Sequence, residues 1–286
     1  MTTKFDRLKQ RTKKIRRERF GYVRRDLKLL RERLRGGERP LPDTIVIGAQ
    51  KAGTTTLYDA LVLHPRVTGS YFKEVHFFDT DHDRGLDWYA LNFPRKDEMP
   101  AGGRVIEASP YYLFHPEVPA RVAADRPGVK ILAILRDPVD RALSHFHHER
   151  RNGFETLDDP IAAFAAEESR LAGASADDPV VRNSSYVSRG LYHAQLKRWF
   201  AQFDRDDIHV VFLEELSRDR QETLDGVSEF LGIERHEYPA VRSNSGGEYA
   251  RLGSAEIEQI KSHFVADVAQ LEELLGRPVP WPRFSS

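Results

Sequence analysis

Three short stretches carry residue types that can handle anions and protons. The first runs Ile47-Gly48-Ala49-Gln50-Lys51-Ala52-Gly53-Thr54-Thr55-Thr56-Leu57, an apolar run ending in a turn of lysine, glycine and threonines. The second is Arg136-Asp137-Pro138-Val139-Asp140-Arg141-Ala142-Leu143-Ser144, and the third is Lys73-Glu74-Val75-His76-Phe77-Phe78-Asp79.

In the first, a strand-like run leads through a turn into a helix-like segment. Such a turn aims several backbone N–H groups and the positive end of a helix at one point, which stabilises a phosphate or sulfate there. Ala52, Gly53, Thr54, Thr55 and Thr56 make the turn; Gly53 permits close backbone approach and the hydroxyls add donors. A nucleoside-triphosphatase loop would read GxxxxGK[ST]. Here Thr54 follows Gly53, and Lys51 lies two residues before it. That displacement puts an ammonium on the crest of the loop, where it can approach the atom joining a phosphate to its transferable group.

In the second stretch, Pro138 suits the first turn of a helix. Arg136 at the end of the apolar run 129–135 and Ser144 about two turns into the helix can converge on one phosphate. Arg141, between them, is expected to brace Asp137 or Glu149 instead. In the third, a strand-like conformation would put Glu74 and His76 on one face. Group transfer to a hydroxyl needs a base for its proton; Glu74 is the first choice and His76 the second. His145, His147 and His148 lack cysteine or carboxylate partners at a familiar ligand spacing, so packing or surface roles are expected for them and no metal site is assigned.

These motifs together resemble one family. QKAGTTTL is similar to the loop that holds the 5′-phosphosulfate in sulfotransferases using 3′-phosphoadenosine 5′-phosphosulfate (PAPS), and RDPxxRxxSxF to the segment whose first arginine and serine hold its 3′-phosphate. KEVHFFD with Gly85-Leu86-Asp87-Trp88-Tyr89 resembles the heparan sulfate sulfotransferases of the 3-O and N types, where the glutamate is the base. Ile106-Glu107-Ala108-Ser109-Pro110-Tyr111-Tyr112 is similar to that family's acceptor-side EKxPxY segment, with Ala108 where a lysine is common.

The resemblance thus implies Lys51, Glu74 and His76 as catalytic residues, and Lys51, residues 52–56, Arg136 and Ser144 at the donor. Lys73, Glu74, His76, Phe77, Ser109, Pro110 and Tyr111 would face the acceptor. Arg189-Gly190-Leu191-Tyr192 and Phe230-Leu231-Gly232 resemble a helix start and a turn of the same family. Ser243 to Arg251 occupies the place of its basic loop over the nucleotide, with Arg251 substituting for part of a Lys-Gly-Arg triplet.

The implied reaction is sulfuryl transfer from PAPS, leaving adenosine 3′,5′-bisphosphate (PAP), to a hydroxyl and less readily an amine of a glycan, glycolipid or small molecule. The acceptor is expected to contain carbohydrate, with no nucleic acid partner. A small-molecule kinase on the same loop fold, or a nonenzymatic membrane-recruited nucleotide-binding protein, are the competing readings.

The elements that must position these residues are legible from hydrophobic periodicity. Runs Thr44–Gly48, Arg104–Glu107, Val129–Leu135 and Ile208–Leu213 read as buried strands alternating with helices, among them Leu191–Phe203, Gln221–Leu231 and Ser254–Leu275. Alternation of this kind predicts a three-layer α/β fold of the P-loop type with a central parallel sheet.

Ahead of it, Phe20, Val23, Leu27, Leu30 and Leu34 mark one face of a basic amphipathic helix. Two glycines and two prolines at 36–42 end that helix, dividing the chain into residues 1–39 and a catalytic domain at 40–286. The apolar stripe is expected to pack on the domain or on a sister subunit, or alternatively to dock on an anionic membrane or a polyanionic substrate.

The 286 residues carry 44 basic and 44 acidic side chains, yet residues 1–39 alone hold about 16 basic against 5 acidic. Cysteine is absent, which excludes disulfides and thiolate metal sites and suits a reducing cytoplasm. No run approaches the ~20 apolar residues of a membrane span, so a soluble protein, peripheral to a membrane at most, is expected.

Overall fold

The computed structural model describes residues 4–239 and 252–285. Five strands form one parallel sheet: β1 Thr44–Gly48, β2 Val67–Gly69, β3 Arg104–Ala108, β4 Lys130–Leu135 and β5 Ile208–Phe212, in the spatial order β2-β3-β1-β4-β5. Four of these match the strands expected from sequence. The three-residue β2 is too short to show a period.

Both faces of the sheet are covered, which is why its strands are mainly apolar rather than strictly alternating with polar residues. Ile45, Ile47, Ile131, Ala133 and Leu135 point into the larger core, and Val46, Leu132 and Ile134 into the smaller one. Helices Pro138–Asn152, Tyr192–Phe200 and Val265–Leu275 send Phe146, Trp199 and Leu271 into the larger core. On the opposite face, Thr54–Leu61 and Arg220–Leu231 contribute Leu57, Leu61, Leu224 and Val227. This is the three-layer α/β arrangement the alternation predicts.

Two expectations about helices need correction. The segment Ser254–Leu275 is two helices, Ser254–Ser262 and Val265–Leu275, parted at Phe264. Phe264 is fully buried, and a β-carbon on Gly190 would lie 2.6 Å from its ring. Seating that ring against Gly190 accounts for the break, which no helical period could announce.

The basic helix Lys4–Arg35 does form, but its apolar stripe does not pack on the domain. Phe20, Val23, Leu27, Leu30 and Leu34 are all exposed, while Arg25, Leu29 and Glu32 on the opposite side are buried. Polar contacts hold it at two ends. Arg7 bonds Thr156 and Asp158, and Arg11 lies over the Phe154 ring. Further along, Arg25 donates to the Val75 carbonyl at 3.2 Å and to Asp81 at 3.0 Å, and Glu32 pairs with Arg39 at 2.6 Å.

Candidate active site

The site lies at the carboxyl ends of three neighbouring strands, β3, β1 and β4, where an open parallel sheet leaves loops and helix N-termini facing one crevice. From β1 the chain turns through Ala49–Gly53 into the helix Thr54–Leu61. The Ala49 amide donates to the Ile134 carbonyl of β4 at 2.6 Å, and the Ala52 amide to the Ala49 carbonyl at 3.1 Å.

Gly53 caps the helix at φ 93°, and a β-carbon there would lie 2.7 Å from Leu213 Cδ1. The positive φ is what favours glycine, since the Leu213 side-chain tip can shift. No side chain caps this helix, so its first amides stay available to an external anion. Lys51, half-buried with φ 69°, is held on the crest. Burial lowers its pKa, with nearby Arg151 adding to the effect.

Arg136 follows β4 and donates to the Lys51 carbonyl at 3.3 Å, tying the two anion loops together. Asp137 caps the helix Pro138–Asn152 by accepting from Val139 and Asp140 amides at 2.9 and 3.4 Å. Arg283, not Arg141 as expected, braces Asp137 at 2.7 Å. Arg141 is instead fully buried and bonds the Tyr186 carbonyl, because helical spacing turns it into the larger core. Ser144 is half-buried on the same helix.

The Glu74–His76 segment departs from expectation in its backbone. It is no strand: Glu74 and His76 adopt φ 65° and 57°, a left-handed conformation that side-chain-bearing residues rarely take. The loop is fastened to the end of β3, with the Glu74 amide on the Ala108 carbonyl at 3.0 Å and the His76 amide on Ser109 Oγ at 3.1 Å. The two side chains nevertheless meet, His76 Nε2 lying 3.6 Å from Glu74 Oε2.

Lys73 Nζ bonds the other Glu74 oxygen at 3.2 Å, and His76 Nδ1 bonds buried Asp79 at 2.8 Å. Burial works against the charge on Glu74, yet His76 and then Lys73 outweigh it and bring its pKa down to about 2. For His76, burial is again opposed, first by Asp79 and then by Glu74, and its pKa rises to about 9. At neutral pH the pair is therefore carboxylate and imidazolium. In that state the His76 imidazolium carries no free lone pair, whereas the Glu74 carboxylate does.

Phe77, Ser109 and Pro110 are buried beneath this loop. Phe77 stacks on Tyr89 with ring centres 4.3 Å apart, and Ser109 donates to Glu107 at 2.5 Å. Glu107 also accepts from Tyr89 and from Tyr112 at 3.0 Å. Ser109 and Phe77 thus fasten the loop from beneath. Tyr111 donates to the Ala176 carbonyl at 2.6 Å under the guanidinium groups of Arg182 and Arg189. Arg251 lies outside the described residues.

Two side chains join the site that sequence reasoning left out. His148 Nδ1 lies 3.4 Å from Lys51 Nζ; burial and then Lys51 push its pKa down to about 4, so it stays neutral and can accept from the ammonium. Arg189 bonds the Gln50 side chain, linking the motif before helix Tyr192–Phe200 to the first loop. The helical register of 138–152 puts His148 one turn beyond Ser144, the only signal that could have found it.

A family model described as "Sulfotransferase domain" matches residues 41–249. Bovine bifunctional heparan sulfate N-deacetylase/N-sulfotransferase 2 (Bos taurus) is 32% identical over 204 residues, 68% of this chain and 22% of that protein. Human heparan sulfate glucosamine 3-O-sulfotransferase 3B1 (Homo sapiens) is 32% identical over 199 residues, 70% of this chain and 48% of that protein. The chain thus spans less than half the length of these curated relatives. Among solved structures, a sulfotransferase from Alicyclobacillus acidocaldarius superposes with a TM-score of 0.68 at 31% identity, covering 84% of this chain and 98% of that one. With the match spanning the whole sheet and every loop that builds the site, the chain belongs to the sulfotransferase family.

Proposed function

We propose that this protein transfers a sulfuryl group from PAPS to a hydroxyl, and less readily to an amine, of a carbohydrate-containing acceptor. The observation carrying this reading is the ionised Glu74 carboxylate held beside an anion loop whose lysine has no nucleoside-triphosphatase spacing. Names of relatives that act on heparan sulfate support the carbohydrate class.

The residues present fit such a donor. An uncapped helix N-terminus, a glycine at positive φ and a half-buried lysine suit a 5′-phosphosulfate at residues 51–56. Arg136 and Ser144, on the adjoining strand end and helix, would hold the 3′-phosphate. When bound, PAPS supplies a sulfuryl group whose bond to the 5′-phosphate oxygen breaks as the acceptor oxygen bonds to sulfur, leaving PAP.

Lys51 stabilises the negative charge that builds on the oxygen between phosphate and sulfur. Neutral His148 and the Arg136–Lys51 carbonyl bond keep the ammonium aimed outward. Glu74 takes the acceptor proton. A pKa of about 2 makes it a weak base, but an oxygen bonding to sulfur becomes strongly acidic, so a weak base suffices. Lys73 and His76 position that carboxylate beside the transferring group.

The test is labelled PAPS offered to a panel of glycans, glycolipids and small hydroxylated molecules, with product read by mass spectrometry, for the native chain and Glu74→Gln. Turnover should fall by about 10²–10⁴ in the variant with PAP affinity unchanged. Normal turnover in Glu74→Gln removes it as the base. Tight magnesium-ATP binding without PAP binding overturns sulfuryl transfer in favour of a kinase.

A further inference from the structure

The helix Lys4–Arg35 has two unlike long faces. Its body side is polar: Arg25 and Glu32 are buried in ion pairs with Asp81 and Arg39. Its outer side carries Phe20, Val23, Leu27, Leu30 and Leu34, exposed by 64, 51, 58, 54 and 80%. Their spacing of three, four, three and four residues makes one straight stripe, about 21 Å long at 1.5 Å per residue. Arg16, Arg19, Arg24 and Arg31, all exposed, border it at helical spacing. Five apolar side chains in line, facing solvent, ask for a covering surface.

We propose that this stripe docks the protein on an anionic bilayer surface, the helix lying in the plane of the headgroups. Charge selects the occupant. Pairing two copies along the stripe would set their bordering arginines against one another. Between Phe20 and Leu34 the only acids are Asp26 and Glu32, and Glu32 is buried on the other side against Arg39 at 2.6 Å.

A bilayer bearing negative headgroups takes the leucines and the arginines together. No described helix is long and apolar enough to cross a membrane, so the contact is at the surface. The helix is already anchored to the domain through Arg7, Arg25 and Glu32, so docking needs no folding step. Because Arg25 bonds the Val75 carbonyl, next to Glu74, a docked helix brings the acceptor side of the site close to the headgroup layer. The inference stands apart from the proposed reaction, since binding is read without turnover.

The experiment is co-sedimentation of the full chain with extruded vesicles of phosphatidylcholine alone and of phosphatidylcholine mixed with phosphatidylglycerol, at low and high salt. The native chain should pellet with the mixed vesicles only and be released by salt. Leu27→Ser/Leu30→Ser should weaken that binding by more than tenfold while the melting temperature stays unchanged, because neither side chain packs on the domain. A Phe20→Trp chain should show a blue-shifted emission on the mixed vesicles, which keeps the test alive if the double variant fails to fold. Failure of the native chain to bind mixed vesicles overturns the inference. So does equal binding by the double variant, or a dimer by light scattering that the same substitutions abolish.

Discussion

The loop proposed for the donor and the loop proposed for the acceptor sit side by side at the carboxyl end of one sheet, yet they are built on different principles. Residues 49–56, the proposed donor site, offer backbone: a strand end, a glycine at positive φ and an uncapped helix start. Their geometry follows from secondary structure, and one half-buried lysine is added on top. Residues 73–79 work through side chains held in a network of Lys73, Glu74, His76 and Asp79 on a strained backbone, with buried Glu107 and Ser109 underneath. The first kind of site tolerates little change in backbone and much in its surroundings. The second depends on its side-chain partners staying in place.

The sharpest way to break this comparison is Lys51→Ala. The backbone cradle survives the change, so PAP should still bind, while turnover falls by about 10²–10³, the scale of losing one transition-state donor. Isothermal titration with PAP and single-turnover kinetics separate the two, and equal loss in both would mean the lysine merely supports the loop.

Arg136→Ala should give a smaller effect of the opposite kind. Losing a charged hydrogen bond of about 1.5–3 kcal/mol predicts donor binding weaker by roughly ten- to a hundredfold, with turnover at saturation little altered. Comparing PAP with adenosine 5′-monophosphate isolates the 3′-phosphate; a penalty equal for both ligands would assign Arg136 to the Lys51 carbonyl alone.

The smallest effect is on the acceptor loop's stability. His76 has a folded pKa of about 9 against an ordinary 6.5. Its contribution is therefore complete below about pH 6.5 and is lost as pH rises through about 9. Glu74 runs the other way, its contribution present above about 4.5 and lost as pH falls through about 2. Melting curves of the native chain and His76→Asn between pH 6 and 10 should converge at the alkaline end and differ by a few degrees, on the order of 2–4 °C for each kcal/mol, at pH 6. Parallel curves would show that the imidazolium network does not hold this loop.

Legibility followed the same divide. Lys51, Gly53 and Arg136 could be placed from sequence because each stands at a fixed offset from a strand or helix end. Glu74 and His76 were recognisable as chemistry, but their conformation was not, since alternation suggested a strand and the backbone is left-handed. His148, read for packing or the surface, and Arg189, read as part of a helix start, could not be placed at the site because what brings them to Lys51 and Gln50 is packing across 97 and 139 residues of chain.

By itself the sequence determined the sheet's four longer strands and the strand–turn–helix that follows the first of them, and it singled out the carboxylate proposed as base, all of which are local: hydrophobic runs, a glycine-threonine turn, a carboxylate between basic neighbours. Only the tertiary structure decided which face of the basic helix meets the domain. Its periodicity marked an apolar stripe truthfully, but ion pairs at Arg25 and Glu32 hold the other side down and leave the stripe to solvent. Periodicity reveals that a helix has two faces; which one is buried depends on the partners waiting on the surface it reaches.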